Sequence, residues 1–119
     1  MTINLPWPPS ANTYYRRAGH VMHLSPKGRK YRDDVLACIW ADGILPKISG
    51  RIRVSIIANP PDRRKRDIDN IIKPLLDSLT IAGVWFDDSQ IDHLEIVRTA
   101  ELTGDVTVMI EEISPVHAD

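Results

Sequence analysis

Arg51-Ile52-Arg53-Val54-Ser55-Ile56-Ile57-Ala58 alternates polar and apolar side chains, and the chain after it changes character at once. Ile52, Val54, Ile56 and Ala58 share one face, the period-two pattern of a strand half buried in a sheet. Asn59-Pro60-Pro61 stops that strand, because proline cannot donate to a ladder. Then comes Asp62-Arg63-Arg64-Lys65-Arg66-Asp67-Ile68-Asp69-Asn70, four consecutive cations running into two carboxylates spaced i, i+2. From about residue 69 to 81 the spacing predicts a helix, with Ile68, Ile72, Leu75, Leu76 and Leu79 as its buried stripe. Pro74 conflicts with that helix and must kink it or force a later start. Gly83 ends it. A strand, a charged loop and a helix in that order set the frame for the remainder.

Upstream, residues 2–5 read as a short strand stopped by Pro6, and Trp7-Pro8-Pro9-Ser10-Ala11-Asn12 as a rigid turn. Tyr14-Tyr15-Arg16-Arg17 interleaves rings and guanidinium groups, a composition suited to phosphate contact and base stacking. Large rings more often cover a core, and Trp7, Tyr14 and Tyr15 are read that way. His20 and His23 stand among Gly and polar residues, without the helix that would align them on a metal. Ser25-Pro26 is an N-cap and first helical position. Tyr31, Val35 and Ile39, with Leu36 and Trp40 a step aside, continue that helix to Gly43. Downstream, residues 91–99 are rich in β-branched side chains, Thr103-Gly104 is a turn, and Val106, Val108 and Ile110 alternate. A closing hairpin is expected there, with fraying after Ser114. No repeat or second domain is visible. The fold class is therefore α+β: one domain over 1–119, a mixed sheet of about four strands with two packed helices.

The formal net charge of −1 conceals segregation. Residues 1–32 hold six bases and no acid, whereas residues 87–119 hold nine acids and one base, Arg98. A basic face beside an acidic one is compatible with a nucleic-acid partner despite the neutral total. Cys38 is the single cysteine, so no internal disulfide can form, which fits a reducing cytoplasm. It reads as a small core residue, since nothing nearby would lower its pKa. No apolar run reaches membrane-spanning length, and no secretion signal is visible.

Cations suited to a polyanion, set against carboxylates that repel it, make sense if a divalent cation sits among the acids. Mg²⁺ takes hard oxygen ligands and keeps several waters, so one to three Asp and a phosphate complete its shell. Such an ion can generate the nucleophile, neutralise charge and help the leaving group in phosphodiester hydrolysis. Asp67 and Asp69, on extended backbone, would share one side. Asp88, in Asp87-Asp88-Ser89-Gln90, precedes a strand that could neighbour the one ending at Ala58, so both acidic sites could meet at one end of the sheet. Lys73 stands one turn beyond Asp69 and one before Asp77, able to neutralise the cluster or the transition-state charge. Taken one by one, Asp69 could merely cap a helix, Asp87-Asp88-Ser89 could be a polar turn, and Asp69, Lys73 and Asp77 could be surface pairs. Together with the cations they favour a metal-dependent nuclease. The rivals are a non-catalytic DNA-binding protein and a phosphoesterase acting on RNA or small phosphates.

These motifs carry a resemblance. The run from Pro61 to Asn70, then Lys73, then Asp87-Asp88-Ser89-Gln90 resembles the RusA family of Holliday junction resolvases, small crossover junction endodeoxyribonucleases often carried by prophages. Leu5-Pro6-Trp7-Pro8-Pro9-Ser10, Tyr14-Tyr15-Arg16 and Tyr31-Arg32-Asp33 extend it over nearly the whole chain. The resemblance implies Asp67, Asp69 and Asp88 as catalytic metal ligands and Lys73 as the catalytic lysine. It also implies a Mg²⁺-dependent homodimer, with Mn²⁺ a substitute, that nicks symmetry-related strands of a four-way junction. Ala11 stands where the family often has Asn, and Lys65 in a run often all Arg. Arg63, Arg64, Lys65 and Arg66 are expected to hold DNA phosphates, joined by Arg16, Arg17, Lys27, Arg29 and Lys30. A cytoplasmic, nucleoid-associated protein of bacterial or phage origin is expected.

Overall fold

A computed structural model describes residues 1–44 and 47–113. In chain order the elements are β1 (Thr2–Pro6), α1 (Ala11–Tyr14), β2 (Tyr15–Ala18), β3 (Val21–Leu24), α2 (Pro26–Ala41), β4 (Ile52–Asn59), α3 (Ile72–Ile81), β5 (Ile91–Arg98) and β6 (Asp105–Glu112). Short 3-10 turns precede α3 (Ile68–Ile71) and β5 (Asp88–Gln90).

The four long strands form one mixed sheet in the order β1-β6-β4-β5. β4 runs parallel to β5 and antiparallel to β6. The alternating stretch is thus an interior strand, with Ile52, Val54, Ile56 and Ala58 all essentially sealed from solvent. Ile3 and Leu5 of β1, and Val106, Val108 and Ile110 of β6, extend the same buried layer. Helices α2 and α3 close it with Tyr31, Val35 and Ile39, and with Leu75, Leu76 and Leu79. Burying such side chains stabilises the fold by about 1.5–3 kcal/mol each.

The expected closing hairpin does not form. β5 and β6 are never neighbours, because β4 lies between them. β6 crosses over to pair all eight residues of β4, and pairs β1 on its far side. A short turn between two strands favours a hairpin, but an apolar strand gains more as an interior strand, buried on its core face between two partners. The expected fraying after Ser114 lies outside the described residues.

Ser25 caps α2 as expected, its hydroxyl accepting from the Gly28 N–H at 3.0 Å, with Pro26 next. The conflict at Pro74 is settled by a later start: the chain spends residues 68–71 in a 3-10 turn, so Pro74 falls in the first turn of α3, where its missing N–H is harmless. The tighter turn rotates the buried stripe, so Ile71 is buried while Ile68 and Ile72 are half exposed. The sequence reading left out a small hairpin, β2 with β3, turned at Gly19. Its outward residues Arg16, Arg17, Val21 and Met22 give no alternation to read.

Candidate active site

The basic loop and α3 together form a βαβ crossover, leaving β4 at one end of the sheet and entering β5 at the other. Asp67 sits at the entry, extended (φ −84°, ψ 130°), and Asp69 lies in the first turn after it. Both are exposed. Neighbouring Asp62 and Asp77 are each ion-paired at 2.8 Å, to Arg66 and to Lys73. Asp67 and Asp69 have no such partner among the described residues. Because Asp69 is already in the turn, the extended-strand argument for a shared side covers Asp67 alone.

The four cations divide. Arg66 turns inward, donating to the Asp62 carboxylate, to the Asp62 carbonyl oxygen at 3.2 Å, and lying 5.8 Å from the centre of the Trp7 ring. Arg98 donates to the Arg66 carbonyl oxygen at 2.6 Å, tying the loop to β5. Arg63, Arg64 and Lys65 are exposed. With Arg98, Thr99 and Leu102 they line a cleft of about 370 Å³. The Asp62 carboxyl is held below its usual range by the hydrogen bond from Arg66, then by that from the Arg64 N–H. Asp62 and Arg66 therefore build the loop that displays the other three.

Through Trp7 the basic surface continues. Trp7, Pro8, Pro9, Lys27, Lys30 and Tyr31 line a second groove, anchored where the Tyr31 hydroxyl donates to the Pro6 carbonyl oxygen at 2.7 Å. Lys30 is paired to Asp34 at 2.8 Å but stays exposed. Arg16, Arg17 and Arg29 line a third groove between the hairpin and the start of α2.

Asp88 occupies a different setting. Asp87 caps the 3-10 turn, its carboxylate accepting from the Ser89 N–H at 3.0 Å. The buried Gln90 side chain accepts from the Phe86 and Asp87 N–H groups and donates to the carbonyls of Ile48 and Gly50. Three residues of the Asp-Asp-Ser-Gln element thus make a fixed turn, and the fourth, Asp88, points its Oδ1 at the Thr80 hydroxyl and at the Trp85 N–H, 3.1 Å away. Asp77 stands near it, with the Tyr15 hydroxyl on one oxygen and the Lys73 ammonium on the other. Burial, then the Asp88 charge, pushes Asp77 up to about 6 despite that ammonium.

The expected meeting of all three acids does not occur within one chain. β5 begins opposite Ile52, the start of β4, whereas the basic loop follows Asn59 at its other end. Asp77, Asp88's neighbour, is eight residues from Asp69, roughly 12 Å along a helix. Among the described residues, no three His, Cys, Asp or Glu side chains stand close enough together to hold a metal ion. Lys73 pairs with Asp77, not Asp69. Sequence reading treated Asp77 as a surface pair and passed over Thr80 and Trp85. The i, i+4 step from Lys73 marked Asp77, but its hydrogen bond from Tyr15, 62 residues away, leaves no local signal. Cys38 is half exposed and its thiol is pushed up by burial, which suits a packing role.

Exposed cations that deliver unpaired carboxylates to the mouth of a helix are the equipment of a nuclease, since they both attract a phosphodiester backbone and offer hard oxygen donors beside it. Comparison with known proteins narrows the class. Residues 6–111 match the family described as Endodeoxyribonuclease RusA. A crossover junction endodeoxyribonuclease RusA of Enterobacteria phage HK97 is 46% identical over 100 residues, covering 84% of this chain and 83% of the relative. The namesake proteins of Enterobacteria phage 82 and Escherichia coli are 41% and 40% identical, covering 86% and 87% of this chain and 85% and 86% of the relatives. The chain belongs to the RusA endodeoxyribonuclease family. No helix among the described residues is long and apolar enough to cross a membrane.

Proposed function

We propose that this protein is a homodimeric, Mg²⁺-dependent endonuclease that resolves four-way DNA junctions by paired nicks on symmetry-related strands. The observation that carries the reading is the Asp67 and Asp69 pair, exposed and without a protein partner, directly after the cationic loop. Two carboxylates two residues apart at the helix entry, neither drawn into an ion pair as Asp62 and Asp77 are, leave their oxygens open to an outside cation. Their all-oxygen donor set suits Mg²⁺ and would also take Mn²⁺. When bound, the ion supplies an activated water and charge neutralisation at the scissile phosphate.

Asp67, Asp69 and Asp88 would hold the metal, with Asp88 drawn from a second copy, because one chain keeps it at the far end of α3. Asp88 is half exposed, and its Oδ1 is fixed by Thr80 and Trp85 while Oδ2 has no partner among the described residues. Lys73, two-thirds exposed in its side chain, would set its ammonium against the phosphate, with Asp77 holding the stem in place. Arg63, Arg64 and Lys65 would track the backbone of one arm. The Trp7 groove with Lys27 and Lys30, and the hairpin groove with Arg16, Arg17 and Arg29, would extend that track. Arg66 would act from within, by shaping the loop.

The test is a synthetic four-way junction incubated with and without Mg²⁺, the products resolved strand by strand. Symmetric nicks that require the ion support the reading, and equal cutting of linear duplex defeats it. Asp69→Asn should leave the gel shift intact and abolish nicking. Loss of both together would assign Asp69 a structural role instead.

A further inference from the structure

β2 and β3 form an arm that stands away from the core. Tyr15 and Leu24, paired at its root, pack against the core, whereas every residue from Arg16 to His23 is exposed. The root is tied down. The Tyr15 hydroxyl donates to Asp77, the Ser25 N–H donates to the Tyr14 carbonyl oxygen at 2.9 Å, and Gly28 lets α2 press against that same carbonyl. The remaining strand residues, Arg16 to Ala18 and Val21 to His23, carry the arm roughly 10 Å outward. Gly19, at φ 65°, turns the chain at the end. Chemistry is graded along this arm. Arg16 pairs with His23 and Arg17 with Met22, and Ala18 with Val21 closes the tip. Cations thus occupy the stem, while the tip offers apolar groups, Val21 55% and Met22 57% exposed. Arg29 joins Arg16 and Arg17 in the groove at the foot of the arm, and residues 1–32 hold no acid.

Isolated apolar side chains on a surface are ordinary. Two adjacent ones at the end of a cationic arm match a partner with negative charge outside and an apolar interior behind it. Nucleic acid is built that way, phosphates around a base stack, and about 10 Å of arm exceeds the depth of either groove of the duplex, about 8.5 and 7.5 Å. We propose that the β2–β3 arm inserts its tip, Val21 and Met22, between base pairs at the branch point of the DNA, while Arg16, Arg17 and Arg29 hold the flanking phosphates. The inference rests on the junction-binding reading above and names the element that tells a junction from a duplex. Apolar wedges enter a base step by unstacking it. Unstacking costs less where pairing is already interrupted, so the same tip is refused by continuous duplex and admitted at a branch. Phosphate contacts alone make no such distinction, because both DNAs carry the same backbone. Cross-strand partners share a face, so Arg17 lies beside Met22 and is placed to meet the phosphate next to the opened step.

The test is the fluorescence of 2-aminopurine placed at the branch point of a four-way junction without Mg²⁺, with the same label inside a linear duplex as control. Wild type should brighten the junction label and leave the duplex label dark. With Val21→Ser and Met22→Ser together, the protein should lose that rise and about tenfold of its preference for junction over duplex, yet bind duplex with the wild-type salt slope. Arg16→Ala with Arg17→Ala should instead weaken both complexes and lower the slope by about two. All four side chains are exposed, so circular dichroism should be unchanged. Should the serine variant unfold, Met22→Leu, which keeps the tip apolar, must retain the rise, and wild type must lose it when the label is moved well into one arm. A folded serine variant that still brightens the branch-point label overturns the wedge and leaves the junction nuclease standing, as does a wild type that prefers the junction without brightening it. A wild type that binds junction and duplex equally overturns the wedge and the junction reading together.

Discussion

Asp77 is charged in a place that disfavours charge. Its folded pKa of about 6 lies above the ordinary carboxylate value of about 4. Between those two values the folded state holds a proton that the unfolded state has lost, so stability falls as pH rises from about 4 to about 6 and is level beyond. Asp77→Asn should therefore raise the melting temperature of the metal-free protein at pH 7, with the gain vanishing below pH about 4; thermal melts across that range check it. Asp88→Asn, by removing the neighbouring charge, should bring the Asp77 titration down, as carboxyl NMR would show. None of this was legible from the sequence, where Asp77 is a helix surface position one turn from Lys73. The same scale separates the cations. Arg64→Ala should reduce the salt dependence of junction binding by about one unit of slope and leave the melting temperature alone. Arg66→Ala should lower the melting temperature, because it removes the anchor between Asp62 and Trp7.

Gly28 shows how an element is held to its neighbour. A Cβ there would lie 2.4 Å from the Tyr14 carbonyl oxygen and 2.8 Å from Leu24 Cδ1, so α2 can pass beneath α1 and the hairpin only with glycine at this point. Gly28→Ala should destabilise by about 1–3 kcal/mol, measured by urea unfolding. Local patterns identified most elements: the β4 alternation, the Ser25-Pro26 cap, the glycines after both long helices. They failed where the answer depends on partners. Residues 91–112 contain two strands and a turn, and nothing local says that β4 separates them. The strand after Asp88 does neighbour β4, as expected, but it runs parallel to it and so begins at the wrong end of the sheet to meet Asp67. The β2–β3 hairpin escaped notice because it is almost wholly exposed, only its paired ends Tyr15 and Leu24 meeting the core.

For the whole molecule, the segregated charge visible in the sequence becomes a set of basic grooves linked through Trp7, and the acid-rich C-terminal third supplies β5 and β6. If the acids are shared between copies, inactive variants should rescue each other. Asp69→Asn and Asp88→Asn proteins, each silent alone, should regain nicking of one junction strand when mixed and allowed to exchange subunits. No rescue would mean that each chain works with its own carboxylates. The position of β6 has a further consequence, for folding. Among the described residues the strand latest in the chain is an interior one, seated between β1 and β4. Until it is in place, Ile3 and Leu5 of β1 and Ile52, Val54 and Ile56 of β4 lie on strands with nothing joining them. The sheet therefore closes through contacts far apart in sequence, which makes its assembly slow.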